Sequence, residues 1–192
     1  MSLNEKKITD FNIGVIGLGY VGLPLAIAFS KVTDVLGYDQ NKSLVKSLKN
    51  GDDPNNEVNS KELMSARTLS FYDNISDLKA CNFYVVCVPT PVDANKVPNL
   101  IHLTQACKDV GPFINDGDII VFESTVFPGA TEEICIPVLE ATSGKSCLTD
   151  SFDDISNGFH VGYSPERINP GDKNRNISDI TKVTSGSSIA SQ

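Results

Sequence analysis

The chain has 192 residues, 40% of them hydrophobic, enough to bury a core and consistent with one domain beside at most an incomplete neighbour. With 16 Lys and Arg against 24 Asp and Glu, the net charge of −8 argues against a nucleic-acid or membrane-surface role, since both want basic patches. No apolar run approaches the roughly 18–20 residues of a membrane span, and the first dozen residues lack the apolar core of a secretory signal. The five cysteines, Cys81, Cys87, Cys107, Cys135 and Cys147, form no C-x-x-C pair. Together with the two histidines, they point to no metal site and to reduced thiols, mostly packed as small core residues, in a cytoplasmic protein.

Residues 1–7 read as a leader or a disordered N-terminus. "NIGVIGL" then reads as the first strand, followed by a helix with Leu25, Ala26, Phe29 and Val32 on one face and Pro24 in its first turn. "DVLGYD" is the second strand, and "NKSLVKSLKNG" a helix closed by Gly51. A polar loop, "DDPNNEVN", leads to a short helix near "SKELMSA" and a third strand, "TLSFYD". "NFYVVCV" is a strand buried on both faces and stopped by Pro89 and Pro91. Helix "LIHLTQACKDVGPFI", strand "DIIVFES", helix "GATEEICIPVLEA" and strand "FHVGYSP" complete the series. Residues 143–158 read as an irregular surface loop, and after Asp172 no further element is expected. The alternation of β and α predicts an α/β, Rossmann-like doubly wound sheet, mostly parallel, with helices on both faces.

Between the first strand and helix, Gly17, Gly19 and Gly22 stand in G-x-G-x-x-G spacing. Gly17 permits a tight turn, Gly19 allows backbone to approach a pyrophosphate, and Gly22 allows close packing of helix on sheet. The helix N-terminus then offers unpaired N–H groups and a positive dipole end to phosphate. Asp39 ends the second strand, where a carboxylate accepts bonds from the adenosine ribose; a 2′-phosphate would meet a like charge, so NAD is favoured over NADP, with Lys42 softening the preference. A purely structural glycine turn, FAD and S-adenosylmethionine are the alternatives.

Ligands in open α/β sheets gather beyond the carboxyl ends of the strands. Three unusual segments fall there. "VCVPTPVD" holds Thr90 between two prolines, and would otherwise be an ordinary rigid turn. "ESTVFPGATEE" ends a strand with Ser124 and Thr125, whose hydroxyls suit a nicotinamide ribose, a substrate or a water, and equally suit a helix cap. "YSPERINPGD" places Glu166 where a partly desolvated carboxylate can act as a base, with Arg167 able to pair with an anion; a surface Glu–Arg pair is the bland alternative.

Taken in order, "IGVIGLGYVGLPLA", Asp39, "VCVPTP", "ESTVFPGATEE" and "SPERINPGD" resemble the UDP-glucose/GDP-mannose dehydrogenase family, and most closely its branch acting on UDP-N-acetylhexosamines. The resemblance spans residues 8–186, expected to form one NAD-binding domain, with 187–192 opening a linker. It implies oxidation of a sugar C6 alcohol to a carboxylate with two NAD⁺, through an aldehyde captured by a cysteine and a thioester cleaved by water. It places NAD on Gly17, Leu18, Gly19, Tyr20, Val21, Gly22, Asp39, Thr90, Ser124 and Thr125. Thr125 would also help hold the reactive water or substrate, and Glu166 would serve in thioester hydrolysis. Arg167 and Asn169 would lie near the cofactor or the substrate entrance. A UDP-sugar substrate and a homo-oligomer are implied for the full-length protein.

One departure is large: the family's "GxCxxKD"-like nucleophile segment is absent. Cys107-Lys108-Asp109 has the wrong spacing, and Cys107 shares an apolar helical face with Leu103 and Val110. The chain is therefore expected to be the cofactor half of a dehydrogenase, able to bind NAD but not to turn over alone. A free-standing NAD-binding or regulatory module, or another NAD-dependent dehydrogenase, is the competing reading.

Overall fold

The computed structural model describes residues 7–149, 158–166 and 181–188. Its strands are short and apolar: β1 (Ile13–Ile16), β2 (Val35–Tyr38), β3 (Leu69–Tyr72), β4 (Phe83–Val86), β5 (Ile119–Phe122), β6 (Ser146–Cys147), β7 (Gly158–Tyr163) and β8 (Ser185–Gly186). All four residues of β1 are buried, as both faces of a parallel sheet require. The strands lie in the order β3-β2-β1-β4-β5-β7-β6, with every pairing along that path parallel. β8 joins antiparallel to β7, Gly162 opposite Gly186 and Tyr163 opposite Ser185.

The period-two pleat divides the core. Val15 and Val85 enter one apolar cluster with α1 (Gly22–Ser30), α2 (Lys42–Lys49) and α3 (Ser60–Ser65). Ile16, Tyr84, Val86, Ile120 and Phe122 enter the other, with α4 (Ile101–Val110) and α5 (Ile136–Ser143). The expected doubly wound sheet is thus present. Its winding reverses between the adjacent strands β1 and β4, which opens a crevice at their carboxyl ends.

Local chemistry explains the helix ends. Asn41 caps α2 by accepting from the Ser43 and Leu44 N–H groups at 3.1 and 3.2 Å. Before α5 the ladder widens into a π turn, Thr131–Cys135, in which the Ile136 N–H reaches back to the Thr131 carbonyl. Pro137, which cannot donate a helical bond, follows at once.

The structure departs from the sequence reading in five places. Val32 is 54% exposed rather than on the core face, because α1 ends at Ser30 and the chain turns away. The polar loop after α2 has a folded centre: Asp53 is buried and accepts from the Asn55, Glu57 and Val58 N–H groups at 2.8–3.1 Å. Strand β6 lies in a stretch read as irregular, and β8 lies after Asp172, where no element was expected. Ser187 and Ser188, read as linker, are tied to the sheet edge. The Ser187 N–H donates to the Val161 carbonyl at 2.7 Å, and the Ser188 hydroxyl pairs with His160 Nδ1 at 2.9 Å.

A methyl group on Gly22 would lie 1.8 Å from the Gly17 carbonyl oxygen. Gly22→Ala is expected to destabilise the fold by about 3 kcal/mol or more, read as a lower urea midpoint at unchanged m-value. A loss below about 0.5 kcal/mol would show that the strand–helix joint does not need this approach.

Candidate cofactor site

The crevice between the two halves of the sheet is a cleft of about 680 Å³. Its floor is the β1–α1 turn. Gly17 has φ +91°, and its N–H donates to the Tyr38 carbonyl at 2.8 Å, so the turn is tied to the end of β2. A Cβ on Gly17 would strike the Cys87 carbonyl at 2.8 Å, whereas a Cβ on Gly19 would meet nothing within 4 Å. The three glycines therefore do different work: Gly17 and Gly22 are sterically required by the chain itself, and Gly19 leaves open space facing the cleft. Helix α1 begins behind Val21 with no side-chain cap on its leading N–H groups.

Asp39 stands beside this space. Its Oδ2 accepts the Leu18 N–H at 2.9 Å and its Oδ1 accepts the Asn41 N–H at 2.8 Å. Each carboxylate oxygen retains a second lone pair for an outside donor. Leu18, expected on the cofactor, turns its side chain wholly into the core, at 0% exposure. Its backbone amide is committed to Asp39. Tyr20 and Val21 line the cleft with Gly17 and Gly19, Tyr20 being 40% exposed. Lys42, the first residue of α2, is exposed and is not among the residues lining the cleft.

The far end is built from the loops after β4 and β5. Thr90 Oγ1 donates to the Thr125 carbonyl at 2.6 Å, and Ser124 Oγ donates to the Val88 carbonyl at 2.6 Å. Two hydroxyls thus clip neighbouring strand ends together, each crossing from one loop to the other. Neither Ser124 nor Thr125 caps a helix: the π turn begins behind Ala130. Thr90, Ser124, Thr125 and Glu166 all line the cleft, which brings together the three segments singled out in the sequence. Arg167 and Asn169 lie outside the described residues.

The lining residues of α4 had no motif to announce them. α4 contributes His102, Gln105 and Asp109, on the helix side opposite its buried Leu103, Cys107 and Val110. That i, i+3, i+7 polar spacing was the available signal. Glu123, just past β5, is buried, and Lys182 donates to its Oε2 and lies 3.4 Å from Glu166 Oε2. Burial pushes the Glu123 carboxyl above the usual carboxylate range; Lys182 opposes this and the Glu166 charge adds to it. Cys87, beside them, is held a neutral thiol chiefly by burial and secondarily by the Glu123 charge.

Because both Asp39 oxygens hold backbone amides, an amide in its place cannot accept from both. Asp39→Asn is expected to cost about 1–2 kcal/mol of stability with no ligand added, checked by thermal unfolding. An unchanged midpoint would show that the two bonds do not tie the turn.

Residues 11–190 match the family described as "UDP-glucose/GDP-mannose dehydrogenase family, NAD binding domain". The UDP-N-acetyl-D-glucosamine 6-dehydrogenase of Salmonella typhi is 50% identical over 180 residues, which cover 94% of this chain and 40% of that protein. Among solved structures, the UDP-D-ManNAc dehydrogenase of Pyrococcus horikoshii superposes with a TM-score of 0.77 at 31% identity, covering 94% of this chain and 42% of the other. The NDP-N-acetyl-D-galactosaminuronic acid dehydrogenase of Methanosarcina mazei Go1 gives 0.81 at 26% identity, covering 100% and 42%. The chain spans about two fifths of the length of the curated relatives it matches. The open face at Gly19, the carboxylate of Asp39 and the cleft between them suit a dinucleotide, and the chain belongs to the UDP-glucose/GDP-mannose dehydrogenase family as its NAD-binding domain.

Proposed function

We propose that this domain is the cofactor half of an NAD-dependent dehydrogenase that oxidises the C6 alcohol of a UDP-N-acetylhexosamine to a carboxylate. The observation that carries the reading is one continuous cleft running from Gly19 and Asp39 to Ser124, Thr125 and Glu166. NAD⁺, when bound, supplies the hydride acceptor. The backbone from Gly19 to Val21 would hold its pyrophosphate, Asp39 its adenosine ribose, and the clipped loops at Thr90 and Ser124 its nicotinamide end. The Asp39 charge disfavours a 2′-phosphate at the same place.

Thr125 is exposed at the mouth of the cleft, where its hydroxyl is suited to hold a water or a substrate hydroxyl. Glu166 enters from the end of β7 and would take the proton of that water. The preference for an N-acetylhexosamine rests on the relatives, which include the UDP-N-acetyl-D-glucosamine 6-dehydrogenases of Salmonella typhi and Pseudomonas aeruginosa.

Covalent capture of an aldehyde needs a thiolate, and the cysteines of this chain are poorly disposed to supply one. Cys81, Cys87, Cys107 and Cys135 are buried. Burial raises the Cys81 thiol to about 12. Burial likewise raises Cys147, while Cys107 is raised first by its bond to Cys135 and then by burial. The nucleophile is therefore assigned to a part of the protein outside these residues.

Calorimetric titration tests the cofactor role. NAD⁺ is expected to bind, NADP⁺ to bind at least tenfold more weakly, and Asp39→Ala to lose about tenfold or more for NAD⁺, the equivalent of about 1.4 kcal/mol. Gly19→Val should abolish binding while leaving the unfolding free energy within about 0.5 kcal/mol. Equal affinities for NAD⁺ and NADP⁺ would overturn the Asp39 assignment. The 192-residue chain alone is expected to yield no NADH from UDP-N-acetylglucosamine, UDP-N-acetylmannosamine or UDP-glucose. NADH above background would overturn the placement of the nucleophile elsewhere.

A further inference from the structure

The cleft continues past Asp39. A dinucleotide with its pyrophosphate at Gly19 and its adenosine ribose at Asp39 must send its base away from the glycine turn, because base and phosphate arm leave the sugar on opposite sides of its ring oxygen. The walls there are Tyr38 at the end of β2, Leu44 in α2, and Gln105, Ala106 and Asp109 in α4. Leu44 and Ala106 are buried and apolar, while Gln105 and Asp109 are the polar groups. Tyr38 ties the walls together: burial raises its phenol first, then the charge of Asp109, then that of Asp39. Both carboxylates therefore lie near one ring, and Asp109 belongs to the Asp39 end of the cleft.

The two polar groups are joined to each other. Gln105 Nε2 donates to Asp109 Oδ1 at 2.7 Å, one helical turn apart. A carboxylate has no proton to give, so the amide must turn its nitrogen, not its oxygen, toward Asp109. That bond uses one N–H of Gln105 and one oxygen of Asp109. The second N–H and Oδ2 remain, a donor beside an acceptor. On a helix face in open water such a pair only supports the helix; here the face is a wall of the cleft. Adenine presents the complement on one edge, an acceptor at N1 beside the donor amino group at N6. Hypoxanthine, with a proton on N1 and an oxygen at position 6, reverses both.

We infer that Gln105 and Asp109 select the base of the cofactor, Asp109 accepting from the N6 amino group of adenine and Gln105 donating to N1. Leu44 and Ala106 line the same space with apolar surface, which excludes water from those bonds and makes a mismatched base costly. The helix thus reads the base, while Asp39 reads the sugar beside it. The inference rests on the proposed placement of the adenosine ribose at Asp39; the Gln105–Asp109 bond does not.

The test compares NAD⁺ with nicotinamide hypoxanthine dinucleotide, which differs from it only at that edge of the base. Both are titrated to millimolar concentration into the ¹⁵N-labelled 192-residue chain, and affinities are read from ¹H–¹⁵N shifts. The unaltered chain is expected to bind NAD⁺ about tenfold or more tightly than the analogue. Asp109→Leu removes the acceptor, so NAD⁺ affinity is expected to fall to within about threefold of the analogue's, which itself should not weaken. Gln105→Met, at an exposed position, should narrow the ratio by a smaller factor. Asp109→Asn, able to offer either an oxygen or an N–H, replaces Asp109→Leu if the latter gives no dispersed spectrum, and should also narrow the ratio. Equal affinities in the unaltered chain overturn the inference. So does a parallel weakening of both dinucleotides in the Asp109 variant with their ratio kept, as simple loosening of α4 would produce. Failure of the reading beneath it is separable: equal affinities for NAD⁺ and NADP⁺ strike the Asp39 placement, whereas equal affinities for NAD⁺ and its hypoxanthine analogue strike only the reading of the base. Binding of neither dinucleotide would overturn both.

Discussion

The joint between β1 and α1 is the constraint on which the remaining geometry depends. Gly22 lies so close to the Gly17 carbonyl that a methyl group has no room, and Gly17 in turn lies against the Cys87 carbonyl at the end of β4. Strand, helix and neighbouring strand are therefore brought together at one point by backbone contact rather than by side chains. Asp39 reinforces the same point from β2 by accepting the amides of Leu18 and Asn41. Three adjacent strand ends are thereby set before any ligand arrives, so binding need not meet the cost of ordering them.

A different device governs the opposite end of the cleft. There the loops after β4 and β5 are joined by the crossed bonds of Thr90 and Ser124, and prolines on either side of Thr90 limit its backbone. The hydroxyls that resemble ligand groups in the sequence have a first duty to the protein. Their backbone neighbours, Thr125 and Val88, are what the bonds fix in place. Farther on, charge replaces hydroxyls: Glu123, Lys182 and Glu166 bring β5, β7 and β8 to a common centre.

Much of the fold was legible because its signals are local. The apolar runs of β1 and β4, the helical spacing of α2 and α4 and the glycine spacing each sit within a dozen residues. β6 and β8 were not legible, since two-residue strands such as Ser146–Cys147 and Ser185–Gly186 carry no periodicity. Val32 was misplaced because helical spacing continues past Ser30 while the helix does not. Asp53 looked like a loop residue, and its burial depends on three amides that fold around it.

The sequence by itself determined the order of elements, the doubly wound sheet, the glycine turn with Asp39 behind it, and the family that those motifs share. Each depends on residue types at short, fixed separations, which physics reads without knowing the rest of the chain. Only the tertiary structure decided that Leu18 faces the core, that α4 walls the cleft with His102, Gln105 and Asp109, and that Lys182 stands between Glu123 and Glu166. Lys182 is 59 residues from Glu123 along the chain. No local pattern links two such residues; a sheet edge that returns the chain to its own strand does.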